Sequence, residues 1–283
     1  MFWPSNGFTK GQVIDYYARL ADTLVPHLRD RPLTLKRYPN GVEDKSFYEK
    51  RCPGHRPKWV ATAPVWSGRN EGDIDYCLCN EKATLIWMAQ LAALELHPSL
   101  SLADEIERPT VLAFDLDPGA PADILDCSRV ALRLRELFEG LGLQSFPKTS
   151  GSKGLQVYVP LNSDITYERT KPFAHAVAQA LERAEPKLVV SRMAKKLRKG
   201  KVFVDWSQND QHKTTVAVYS LRAKERPTAS TPVEWDEVAG ALEREDPEAL
   251  SFEAAEVIER IEKRGDLFAP VLELSQELPE GAP

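Results

Sequence analysis

Two aspartates one residue apart close an apolar run, TVLAFDLDPG (residues 110–119), and Pro118-Gly119 stops the run at once. Side chains alternate along a strand, so Asp115 and Asp117 share a face while Leu116 points into the core. Carboxylates that close repel unless something positive sits between them. Hard divalent cations take oxygen ligands, and Mg2+ combines one or two carboxylates with substrate phosphates. A second run of the same kind, KVFVDWSQ (201–208), ends on Asp205 and continues into polar Ser207 and Gln208. Three carboxylates from two adjacent strands suit two metal ions about 3.5–4 Å apart, an arrangement used for in-line phosphoryl transfer. DLDPG alone also reads as a plain strand end entering a turn, where aspartate is common. Asp205 and the phosphate-binding features that follow favour the metal reading.

The segment SGSKG, Ser150 to Gly154, joins two predicted strands through a glycine-rich turn. Its amides suit a phosphate, with Lys153 as a point charge and the Ser150 hydroxyl as a further donor. A bland hairpin turn has the same composition, and the spacing is not that of a Walker A loop. In SRMAKKLRKGK (191–201) six of eleven residues are Lys or Arg and none is acidic. Such a run is either a solvated helix face or a contact for a triphosphate or a nucleic-acid backbone. Arg222 and Lys224 close the predicted strand TTVAVYSLRAK. Cys52, His55, Cys77 and Cys79 are either a zinc site or ordinary partly buried residues, the second pair being poorly spaced for a knuckle.

These side chains need strands and helices to aim them. The 283 residues, 42% hydrophobic and 28% charged, have the composition of an ordinary globular protein. The start MFWPSNGFTK lacks the pattern of a signal peptide. ATLIWMAQLAALEL (83–96) is short for a membrane span and reads as a buried amphipathic helix covering 81–96. Four cysteines are too few for a disulfide scaffold, which points to a reducing cytoplasm. Helical periodicity marks 10–28, 121–142 and 167–184, and strands are expected at 34–40, 110–116, near 144–149, at 155–161, 201–206 and 214–224. Intermixed helices and hairpin-like strands predict a mixed α+β fold. RPTASTP (226–232) is the one plausible linker. From Glu234 onward there are 15 acidic and 4 basic residues. Set against 42 and 37 in the whole chain, that leaves 27 acidic and 33 basic in 1–233. A basic body favours a polyanionic partner. The expected organisation is a catalytic domain over 1–233 and an acidic helical extension over 234–283 packed on it.

Taken together, FWPSNGFTKGQVIDYY (2–17), LTLKRYPNGV (33–42), SFYEK (46–50), ELHP (95–98), FDLDPG, KTSGSKGLQVYVPL (148–161), VFVDWSQN (202–209) and YSLRAKERPTASTPVEW (219–235) run through nearly the whole chain. In order and spacing they resemble the polymerase domain of bacterial DNA ligase D and its stand-alone relatives, the Prim-Pol proteins of the archaeo-eukaryotic primase superfamily. The resemblance implies a primase-polymerase fold of two small β-sheets flanked by helices, with the active site in the cleft between them. It implies nucleotidyl transfer that extends DNA ends or fills short gaps, preferring ribonucleotides over dNTPs, in double-strand break end joining or gap repair. By the same resemblance Asp115, Asp117 and Asp205 bind two divalent metals, Mn2+ or Mg2+, and carry catalysis. His97, Ser150, Lys153, Gly154, Gln156, Lys195, Arg198, Gln208 and Arg222 line the nucleotide site. Lys10 binds the 5′-phosphate of a gap, Phe47 and Tyr48 stack on a template base, and Lys36 and Lys50 contact DNA. Implied partners are gapped or broken DNA with a 5′-phosphate, NTPs, a separate DNA ligase and a Ku-type end-binding protein, in a bacterial cytoplasm at the nucleoid. No membrane is implied, and the protein is expected as a monomer or a DNA-bridged dimer. A primer-synthesising primase and a weakly catalytic DNA-end bridging protein are the alternatives.

Three departures from the family pattern stand out. Gln156 occupies a usual histidine position and Tyr48 that of a second phenylalanine. In the family a segment with an Asn and a Lys that bind nucleotide and DNA precedes FWP, whereas Met1 here falls inside that motif; either the N-terminus is truncated or the true start lies upstream, and a real loss is expected to weaken 5′-phosphate binding.

Overall fold

The computed structural model describes residues 2–68 and 70–280. In chain order the elements are α1 (Lys10–Leu28), β1 (Leu33–Arg37), β2 (Phe47–Glu49), β3 (Thr62–Ser67), β4 (Gly72–Cys77), α2 (Lys82–Gln90), β5 (Ala93–Pro98), β6 (Val111–Pro118), α3 (Ile124–Gly140), β7 (Phe146–Thr149), β8 (Leu155–Pro160), α4 (Tyr167–Ala184), β9 (Val189–Val190), β10 (Val202–Asp205), α5 (Trp235–Glu243), α6 (Ala254–Arg264) and α7 (Pro270–Glu273). They form two five-stranded sheets and two compact units, a mixed α+β architecture.

The first unit takes residues 1–106, 212–230 and 252–266. β1 is the centre of its sheet. One edge pairs antiparallel with β5 (Leu35 opposite Leu96), and the other is shared by β2 (Lys36 opposite Tyr48) and the end of β4 (Leu33 opposite Cys77), which pairs in turn with β3. Thr9 caps α1, its hydroxyl taking the Gln12 amide while the Gln12 side chain reaches back to the Thr9 amide. Val13, Tyr16, Tyr17, Leu20, Leu24 and Leu28 recur at helical spacing and are buried.

Two expectations change in this unit. The single helix over 81–96 is instead α2 followed by β5. Ala92 adopts a left-handed backbone (φ 63°), which ends the helix, and Leu94 and Leu96 are then buried in the sheet. The strand over 214–224 does not form. Val216 to Tyr219 are buried without alternation, the Thr215 and Ala217 amides bond to the β5 backbone, and Tyr219 turns the chain at φ 61°.

The second unit takes residues 107–211, 231–251 and 267–283. Its sheet has the order β7-β8-β6-β10-β9, antiparallel except for β10 with β9. Asp123 caps α3 by accepting the Leu125 and Asp126 amides, and α3 buries Val130, Leu134 and Phe138. RPTASTP is no exposed linker. Ser230 and Thr231 are buried, the Tyr219 amide donates to the Ser230 carbonyl and the Thr149 amide to that of Thr231, and the chain passes between units here.

Candidate active site

The predicted site residues fall into two sets, one on each unit. In the second unit β6 carries Asp115 and Asp117 on one face with Leu116 buried between them. The register sets Asp115 directly opposite Asp205 of β10, so the three carboxylates come from neighbouring strands. Each is held by protein donors. Asp205 Oδ1 accepts from the Ser207 amide (3.0 Å) and hydroxyl (2.6 Å), and its Oδ2 from Gln208 Nε2 (2.9 Å). Asp117 Oδ2 lies 3.3 Å from Arg198 Nη1. Asp115 Oδ1 accepts from Gln156 Nε2 at 3.0 Å. Burial first, then the charges of Asp205 and Asp117, push the Asp115 carboxyl up to about 6, against the Gln156 hydrogen bond and the Lys148 charge.

Glycine is obligatory at two points around these carboxylates. A Cβ on Gly119 would stand 2.0 Å from the Arg198 carbonyl oxygen, and one on Gly154 2.0 Å from that of Leu116. The Pro118-Gly119 turn thereby ties the basic run to the DxD strand, with Gly119 N–H donating to Lys201 O and Gly200 N–H to Gly119 O. Arg198 also lies over the Phe203 ring at 3.7 Å and donates to Met193 O. The basic run is neither a long helix nor disordered coil. It is a single 3-10 turn at Lys195–Leu197 with Lys195 exposed. In SGSKG the Ser152 and Gly154 amides both point at the Ser150 hydroxyl oxygen (3.2 Å each). Two of the amides expected to face a phosphate therefore close the loop on itself, while Lys153 is exposed.

The first unit gathers Lys36, His97 and Arg222 around one buried carboxylate, Glu95. Its Oε1 takes the Tyr38 hydroxyl (2.8 Å) and Lys36 Nζ (3.3 Å); its Oε2 lies 3.3 Å from His97 Nε2 and 3.2 Å from Arg222 Nε, the last an ion-pair contact. Burial acts to raise the Glu95 carboxyl, but the His97 hydrogen bond and the Arg222, His97 and Lys36 charges outweigh it and hold Glu95 far below the ordinary range. Burial lowers His97 against the pull of Glu95. Tyr17 ties β5 to the Arg222 segment, donating to Leu94 O and accepting from the Leu221 amide. Phe47 and Tyr48 are exposed, but as neighbours in a strand they address opposite sides. Phe47 lies beside the Arg37 guanidinium, whereas Tyr48 lies beside Lys36 and His97. Lys50 is exposed and Lys10 partly exposed at the first turn of α1.

Sequence reasoning missed Glu95, read only as a charge within a helix, and Lys148, fully buried behind Gln156 with its Nζ 2.5 Å from Gln156 Oε1. The signal for Glu95 was its i,i+2 spacing to His97, legible once 93–98 is a strand. The zinc quartet does not form: Cys52 and Cys77 are joined by a disulfide, His55 is exposed and Cys79 is buried. The disulfide also departs from the expectation of ordinary unpaired cysteines. Among the described residues no group of three or more His, Cys, Asp or Glu side chains is set to enclose a metal ion; Asp117 contacts Arg198, and Asp205 contacts Ser207 and Gln208. No described helix is long and apolar enough to cross a membrane.

Carboxylates on neighbouring antiparallel strands, near a glycine-rich turn and a basic segment, are compatible with the primase-polymerase class, and the comparisons with known proteins show the family. The profile of the family described as "LigD, primase-polymerase domain" matches residues 9–268. The multifunctional non-homologous end joining protein LigD of Mycolicibacterium smegmatis is 42% identical over 96% of this chain, which covers 35% of that protein. The bifunctional LigD of Bacillus subtilis is 32% identical over 95% of the chain, covering 42% of it. The solved polymerase domain of Mycobacterium tuberculosis ligase D in complex with DNA superposes with a TM-score of 0.88 at 39% identity, covering 98% of this chain and 96% of that one. The chain belongs to the LigD primase-polymerase domain family.

Proposed function

We propose that this polymerase extends broken DNA ends and fills short gaps with a preference for ribonucleotides, as the polymerase step of non-homologous end joining. The observation that carries the reading is the register of Asp115 opposite Asp205, with Asp117 beside them, in a chain with LigD relatives along most of its length. Three hard oxygen donors on neighbouring strands suit Mg2+ or Mn2+. The like-charge repulsion at Asp115 is what a bound cation would relieve. Asp115, Asp117 and Asp205 would hold the metals, which would supply activation of the primer 3′-hydroxyl and charge neutralisation on the phosphates.

The rest falls to the chain's own residues. Arg198, Lys195 and Lys153 attract the triphosphate, and the Ser150 hydroxyl donates to it. Gln208 and Ser207 fix the Asp205 carboxylate. Lys36, His97 and Arg222, held by Glu95, present donors to the nucleotide or DNA, and Tyr48 offers a stacking surface. Lys10, Lys50 and Phe47 extend the DNA contacts. DNA ends bearing a 5′-phosphate, a DNA ligase activity and a Ku-type end-binding protein are the proposed partners, in the bacterial cytoplasm. The test is primer extension on a gapped duplex with a 5′-phosphate, comparing Mn2+ with Mg2+ and NTPs with dNTPs. NTP-favoured extension that disappears in the Asp115→Ala, Asp117→Ala protein is expected. Tight DNA binding without extension would replace the reading with end bridging, and dinucleotide synthesis on bare template would make the protein a primase.

A further inference from the structure

Lys148 is fully buried in the second unit, on β7, where an ammonium is costly unless something answers it. Its Nζ lies 2.5 Å from Gln156 Oε1 on the neighbouring strand β8, opposite it in register, and 5.3 Å from the Tyr158 ring centre. The other end of the same amide, Gln156 Nε2, donates to Asp115 Oδ1 at 3.0 Å, and the Tyr158 hydroxyl also approaches Gln156 Oε1 at 3.4 Å. An ammonium only donates and an ionised carboxylate only accepts. A primary amide placed between them satisfies both in one orientation alone, oxygen toward the lysine and nitrogen toward the aspartate. With the ammonium removed, the amide oxygen loses its shorter, charged donor and keeps the Tyr158 hydroxyl at 3.4 Å, so the bias that holds the nitrogen toward Asp115 is weakened.

We propose that Lys148 is a positioning residue for the catalytic centre: acting through the Gln156 amide, it fixes the Asp115 carboxylate in the orientation that binds metal. The idea rests on the metal reading of Asp115 given above. It concerns three residues on consecutive neighbours of one sheet, β7, β8 and β6, so it requires no movement of other elements. Partners behind metal ligands commonly influence metal affinity by about 10- to 100-fold, and a relay of this kind has a further signature. Its two members act as a unit, so their losses do not add.

The experiment is a Mn2+ titration followed by electron paramagnetic resonance on the full chain without nucleotide, with thermal melts as the folding control. The variants are Lys148→Met, Gln156→Met, the double variant and Asp115→Ala. Lys148→Met and Gln156→Met are each expected to weaken Mn2+ binding by about tenfold, and the double variant by no more than either alone. Unchanged Mn2+ affinity in both single variants, with affinity lost in Asp115→Ala, would overturn the relay while leaving the metal reading intact. Losses that multiply in the double variant would overturn it too, since the residues would then act separately. Unchanged affinity in Asp115→Ala would remove the metal reading itself. If Lys148→Met does not fold, Gln156→Met decides alone, and an unchanged affinity there overturns the proposal.

Discussion

Asp115 and Glu95 are both partly or wholly buried carboxylates, and their surroundings drive them in opposite directions. Asp115 is desolvated by burial and also faces two other aspartates, so its ionised form is a burden on the fold. A carboxyl raised to about 6 stabilises the folded state only where it is protonated, and that contribution is lost as pH rises from its unfolded value through 6. Asp115→Asn should therefore raise stability in the absence of divalent metal by on the order of 1–2 kcal/mol at pH 7.5, discounted for partial exposure. The gain should vanish below about pH 4, while extension is abolished. Urea denaturation at the two pH values checks this; a destabilised variant at pH 7.5 would refute it. Glu95 has the opposite sign. Its carboxyl is held low, so its contribution is complete above the ordinary carboxylate range and fades only as pH falls below it. Glu95→Gln leaves Lys36 and Arg222 beside a neutral amide in a buried site and should cost about 3 kcal/mol at pH 7. The gap to the natural chain should begin to close only below about pH 4. A cost under about 1 kcal/mol would mean that the cluster behaves like an exposed ion pair.

At the scale of elements, what was legible in the sequence tracks how uniquely a pattern maps to one period. α1 and α4 were legible because their burial repeats every three to four residues, and the DxD strand because a short apolar run ends sharply at Pro118-Gly119. The stretch 83–96 was not: its apolar residues satisfy both periods, and the break depends on one backbone conformation at Ala92. The 214–219 segment failed for a different reason: its β-branched composition suits a strand, but the left-handed backbone at Tyr219 turns the chain before a ladder is built. The carboxylates of the site were legible because strand ends name themselves. Glu95 and Lys148 were not, since a buried charge is recognised only by its partners across the sheet, and those partners are 59 and 8 residues away in sequence. The Phe47 and Tyr48 pair shows the same limit, because adjacency in sequence concealed that they occupy opposite sides of an edge strand. Ala92 supplies a direct test of the helix-to-strand turn. An L-residue in the left-handed region costs about 1–2 kcal/mol that glycine avoids, so Ala92→Gly should raise the melting temperature. A lowered one would mean that the turn is not left-handed and that helix continues toward Leu96.

For the molecule as a whole, the charge division between a basic body and an acidic end does not by itself say whether that end can be removed, and its packing does. Residues beyond 233 contribute to both units. In the first, the Ala229 amide donates to the Phe252 carbonyl, Arg19 pairs with Glu262, and Asp266 receives both the Tyr219 hydroxyl and His27 Nε2 at 2.7 Å. In the second, Trp235 Nε1 donates to Ser145 O, Gln276 bridges Gln144 and Pro160, and Phe268 packs edge-on against Tyr158. Val238, Ala241, Leu250, Val257, Phe268 and Val271 are all buried. The acidic side chains themselves have structural work: Glu234 with Glu237, and Glu253 with Glu256, form the capping boxes that start α5 and α6. Burying an aliphatic or Phe side chain contributes about 1.5–3 kcal/mol, so losing several exceeds the 5–15 kcal/mol by which domains are typically stable. A chain ending at Val233 should therefore lack a cooperative thermal transition and dispersed amide resonances, even though it retains every proposed site residue. A sharp melt and undiminished primer extension from that shortened chain would overturn this and make the acidic end a separable, solubilising appendage.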